Sequence, residues 1–77
     1  MARSRKAALE KIESLVAGVE GHVAKIAALP GHSAMDHWKG EARNWLRHME
    51  AMLRHVGKKT AAQWQARIDA WRAAIQD

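Results

Sequence analysis

Three features of the 77-residue sequence predict an all-α fold, a small up-down-up three-helix bundle with helix three shorter than helices one and two. Apolar residues recur at helical intervals in three stretches. Leu29-Pro30-Gly31 and Gly57 separate those stretches as stop signals. No stretch shows the alternation of period two that a half-buried strand requires.

Helix one is expected over about residues 5–28. Leu9, Ile12, Val16, Val19, Val23 and Ile26 alternate spacings of three and four without a miss, which makes them the a and d positions of a heptad. Ala8, Leu15, His22 and Leu29 fall at g and widen the stripe to the width a bundle helix buries. Ser4 is the expected N-cap. Leu29 precedes a proline, which pushes it out of the α region and ends the helix.

Helix two is expected over about 34–56. Ser33 with Asp36 three positions later has the form of a capping box, and Gly57 suits a left-handed C-cap. Its core face is Met35, Trp38, Ala42, Trp45, Leu46, Met49, Leu53 and Val56. Helix three, about 61–76, opens on a second capping box, Thr60-Ala-Ala-Gln63, and carries Trp64, Ile68, Trp71 and Ile75. All of residues 1–77 then belong to a single helical domain.

Composition sets outer limits. Leu, Ile and Val contribute 13 of 77 residues, Phe none, and the net charge is +5, a combination common in disordered chains. Four tryptophans and four methionines restore the missing bulk, and the strict periodicity argues for order. Without cysteine there is no disulfide framework, thiol nucleophile or cysteine-ligated zinc. No apolar run reaches membrane-spanning length, and Arg3, Arg5 and Lys6 are not followed by the apolar stretch of a secretory signal. A cytoplasmic protein without a membrane partner is expected.

Helix lengths say more than helix number. At 1.5 Å per residue, helices one and two span about 35 Å each and helix three about 24 Å. Helix three runs back along helix two and is expected to stop near Glu41 and Ala42. Beyond that level Val23, Ile26, Leu29, Met35 and Trp38 have only one another, and an uncovered apolar end of this kind marks an interface. Trp38 is its expected anchor, whereas Trp45, Trp64 and Trp71 are expected in the core between helices two and three. The back of helix one, Ser14, Ala17, Gly18, Gly21, Ala24 and Ala28, is smooth. Two helix-interior glycines cost about 1 kcal/mol each against alanine, which close approach of another helix would explain.

Two polar strips run along helix two. His37, Glu41, His48 and His55 align on the border of the apolar face, and His37 with Glu41 could share a metal ion, with His48 as the further ligand considered. Neither Glu-x-x-His nor His-Glu-x-x-His occurs, and a border position also suits histidine without any ligand. Lys39, Arg43, Arg47 and Arg54, with Lys58 and Lys59 beyond, form a basic strip that could track a phosphate backbone. Asp36 and Glu50 are placed to pair with Lys39 and Arg54 and to neutralise part of it. The Leu29-Pro30-Gly31 turn resembles the start of a helix-hairpin-helix DNA-binding motif over about five residues, which implies backbone amides offered to phosphate. The resemblance departs at His32, where the motif has an apolar residue, and at Ser33, where it has a second glycine.

No nucleophile, base and orienting group come together in the sequence, so an enzyme is not expected and no cofactor is implied. The function expected is a protein–protein interaction module that binds itself, as a homo-oligomer, or a protein partner through the open end. Nucleic-acid binding through the basic strip is the second expectation and metal binding the third.

Overall fold

The computed structural model describes residues 4–76. They form α1 (Arg5–Ala28), α2 (Met35–Met52), a 3₁₀ turn (Leu53–His55) and α3 (Lys58–Ala74), packed as a three-helix bundle with no strand among the described residues. Ser4 caps α1 as expected, its Oγ accepting from the Ala7 amide at 3.1 Å. Leu29 closes α1 by donating its N–H to the Lys25 carbonyl.

The other two helix starts depart from expectation. Ser33 does not cap α2. The Ala34 amide donates to His32 Nδ1 at 3.0 Å instead, and the Met35 amide donates to the His32 carbonyl. The His32 ring stacks on Trp38 with centroids 4.7 Å apart, and that packing brings its nitrogen over the helix start. Thr60 is no cap either, because α3 begins at Lys58 with Gly57 before it. The half-buried Val56 side chain joins the core cluster. It holds Val56 extended (φ −114°, ψ 167°), and the chain can enter α3 directly from there. Gly57 has φ −67°, so the left-handed cap expected there is absent. The one positive φ among the described residues is at Gly31, 80°, where the turn between α1 and α2 reverses the chain.

Ala8, Ile12 and Val19 of α1, Ala42, Leu46 and Met49 of α2, Leu53, and Ile68 and Ile75 of the α3 segment are buried. These residues share the faces that the periodicity marked. None of the four tryptophans is among them, and all four are half-buried. Ile, Leu, Met and Ala fill the core, and Trp45, Trp64 and Trp71 pack against it with part of each large ring left at the surface. Trp45, expected between α2 and α3, turns instead to α1. A Cβ on Gly18 would stand 2.9 Å from its Cζ3, and the His22 ring lies 4.8 Å from it, centroid to centroid. Gly18 therefore belongs to the α1–α2 contact and not to the smooth outer face. Trp64 and Trp71 are bridged by Arg67, whose guanidinium sits 4.5 Å and 4.8 Å from their ring centroids. The spacing of three and four along α3 sets up that ladder.

Antiparallel pairing of α2 and α3 aligns Glu50 with the stretch of α3 between Gln65 and Arg72, both of which bond it. Gln76 then comes to the level of Arg43 and Arg47, with which it lines one hollow. Beyond that level α1 and α2 continue as a two-helix layer. The molecule measures 42 × 21 × 15 Å. Its accessible surface is 5073 Å², against about 4,700 Å² for a compact globule of this mass.

Candidate functional site

The extension is built by the last two turns of α1, the first turn of α2 and the loop between them. Val23 and Ile26 are half-buried and pack against the core cluster. Met35 and Trp38 are half-buried, and Leu29, at 46% exposure, is the one exposed large hydrophobic among the described residues. Trp38 is less bare than the helix lengths implied. His32 covers one part of the ring, and Lys25 Nζ lies 5.6 Å from its centroid. The loop amides of His32, Ala34 and Met35 are spent within the loop. Three amides are thus withheld from the phosphate contact that a helix-hairpin-helix motif implies.

Next along α2 the histidine strip is rearranged. Glu41 takes His22 Nε2 of α1 on Oε1 at 2.7 Å and His37 Nε2 on Oε2 at 3.4 Å. The carboxylate thus ties α1 to α2 beside Trp45. His48 is exposed and has no part in the cluster, and His55 instead accepts from Arg54 Nε at 3.4 Å. His22, a core-border position of helix one, is the partner that the strip on helix two alone did not reveal. Among the described residues no group of three or more His, Cys, Asp or Glu could hold a metal ion. His37 and Glu41 come together, but His48 does not join them as a third ligand.

The basic strip is divided. Glu50, expected to pair with Arg54, instead bonds Arg72 through both carboxylate oxygens at 2.9 Å and 3.0 Å and accepts from Gln65 at 2.9 Å. Two effects favour this choice. A bidentate guanidinium bond is stronger than a single helix-surface pair, and the tightening into a 3₁₀ turn at Leu53 moves Arg54 out of α-helical register. The hydrogen bonds from Arg72 and Gln65 hold the Glu50 carboxyl below its ordinary range, and Glu50 in turn raises the guanidinium. Arg43 and Arg47 remain exposed and line a hollow of about 500 Å³ with Arg72 and Gln76. Lys39 is half-buried, while Lys58 and Lys59 are exposed at the start of α3. Arg72 and Gln76 were absent from the sequence-derived site, although the expected stop of helix three near Ala42 already placed them beside Arg43 and Arg47.

No helix among the described residues is long and apolar enough to cross a membrane. No protein-family model, curated protein or solved structure matches the chain.

Proposed function

We propose that this chain is a non-enzymatic helical interaction module that pairs with a second copy of itself along α1 and the open end of the bundle. The observation that carries the proposal is Leu29, exposed at 46% at the same end of the bundle as the half-buried Met35 and Trp38, beyond the level at which α3 ends. A chain with so few large aliphatics has reason to bury these residues. Burial of apolar surface contributes about 25 cal/mol per Å².

The outer face of α1 supports a second copy as the occupant. Ser14, Ala17, Gly21, Ala24 and Ala28 are all exposed, and nothing lies within 4 Å of a Cβ built on Gly21. This face leads directly to the open end. An antiparallel pairing of α1 centred between Ala17 and Gly18 sets Gly21 level with Ser14 of the second copy. It also sets Lys25 level with Glu10 of the second copy, twice by symmetry. The charges are thus self-complementary along α1 although the chain carries +5 overall. Lys25 also stands over Trp38, so the same pairing draws the Trp38 edge toward the second copy. The setting that fits such a module is the cytoplasm, where a cysteine-free chain needs no oxidative folding.

Sedimentation equilibrium from about 10 µM to about 1 mM covers the affinities expected for a small interface of this kind. The proposal expects a reversible dimer, weakened by Leu29→Glu and by Lys25→Glu. Combining Glu10→Lys with Lys25→Glu restores it. A strict monomer over the whole range refutes the proposal, and failure of the charge exchange to restore pairing refutes the antiparallel arrangement.

A further inference from the structure

We infer that the hollow between α2 and the end of α3 is a binding site for a phosphoryl group carried by a small molecule. Two cations of α2 are left unbalanced. Arg43 and Arg47 are four residues apart on one exposed helix face, and like charges at that spacing destabilise a helix. Neither makes an ion pair with a carboxylate among the described residues. The acids of α2 closest to them in sequence are engaged elsewhere: Glu41 holds His22 and His37, and Glu50 holds Arg72 and Gln65.

A third guanidinium completes the wall. Arg72 is fixed by its bidentate bond to Glu50 and by Asp69, 3.9 Å away, so the site has one rigid cation beside two adjustable ones. Gln76 adds a neutral amide that can donate or accept. The open guanidinium forks of Arg43 and Arg47 match the oxygens of a phosphoryl group two at a time, which an ammonium cannot do, while Arg72, its fork spent on Glu50, adds only its remaining N–H groups. The hollow, about 500 Å³, exceeds what a bare ion fills and lies within the range of small-ligand sites. Its described lining is three arginines and a glutamine, whose polar heads suit a phosphoryl group and whose aliphatic stems lie beside the skeleton that carries it.

A nucleic-acid rail fits less well. Such a rail needs cations in a row, but the Glu50 carboxylate falls between Arg47 and Arg54, and Arg54 is bonded to His55. The cations converge on one hollow and do not extend along the molecule.

The test is a titration of the full chain with inorganic pyrophosphate at low salt, followed through the Arg Nε–Hε resonances. Saturable shifts are expected at Arg43, Arg47 and Arg72 and at the Gln76 amide. Arg43→Gln and Arg47→Gln should each weaken binding about tenfold, the loss of one charge-assisted contact. Arg54→Gln should leave it unchanged. All three side chains are exposed, and unchanged melting curves establish that the variants fold; mapping on the unsubstituted chain is independent of them. Shifts that never saturate, or that spread equally over Arg54, Lys58 and Lys59, overturn the inference. So does tight binding of a DNA duplex to which Arg54, Lys58 and Lys59 contribute as much as Arg43 and Arg47.

Discussion

Replacing each of two glycines of α1 with alanine should stabilise the fold at one position and not at the other, although the positions are three residues apart on one helix. Both substitutions gain the helix-propensity difference, about 1 kcal/mol. At Gly21 nothing stands within 4 Å of the new methyl, so Gly21→Ala should realise most of that gain. At Gly18 the methyl would stand 2.9 Å from Trp45 Cζ3 and 3.1 Å from Cη2. The indole is rigid and already contacts the His22 ring, which is itself bonded to Glu41 at 2.7 Å, so it moves only by loosening that contact. Overpacking of this kind costs about 1–3 kcal/mol, and the net effect of Gly18→Ala runs from neutral to a loss of about 2 kcal/mol. The two variants should therefore differ by about 1–3 kcal/mol. For a domain of this size that corresponds to a gap in Tm of at least about 4 °C. Urea unfolding followed by circular dichroism, at concentrations low enough to keep the chain monomeric, measures both. Equal stabilisation by the two alanines would refute the packing of Trp45 on Gly18, and with it the assignment of that glycine to the α1–α2 contact.

Other outcomes follow from the same contacts. Glu50→Gln should cost about 1 kcal/mol or less, as half-exposed ion pairs do. It should also flatten the acid limb of stability. The folded chain binds the Glu50 proton less readily than the unfolded one, so the stabilisation is complete above the ordinary value of 4.5 and is lost as pH falls through the lower folded value. A pH series of urea midpoints reads it. Ser4→Ala should cost about 1 kcal/mol because Ser4 caps α1, whereas Thr60→Ala should stay within about 0.5 kcal/mol because Thr60 lies inside α3. Trp38→Ala should lower the dimer fraction in sedimentation with a small effect on the monomer, while Leu46→Ala should lose about 2–5 kcal/mol from the buried core. Comparable losses of fold from both would contradict the placing of Trp38 outside the core.

The helices and their buried faces were legible because apolar periodicity is a local property of the chain. Ile12, Val19, Leu46, Met49, Ile68 and Ile75 all stand on the faces that their spacing marked. Cap chemistry was legible at the two ends of α1, Ser4 and Leu29, where it is local to the chain. At Ser33 a ring stacked on Trp38 supplied the nitrogen instead, and at Thr60 the packing of Val56 started the helix three residues early. The pairing of Glu50 with Arg54 failed for a similar reason. An intrahelical rule cannot register a guanidinium arriving from α3.

What the sequence determined by itself is therefore one-dimensional: three helices, their buried faces, and a third helix that ends near Ala42. Which side chains share a partner was decided only by the tertiary structure. It set Trp45 on Gly18, joined His22 to Glu41, gave Glu50 to Arg72, and left Arg43 and Arg47 facing one hollow. The physical reason is that helix formation and burial depend on spacing along one segment. An ion pair or a stacked ring depends on the register between two helices, and the packing of the bundle as a whole fixes that register.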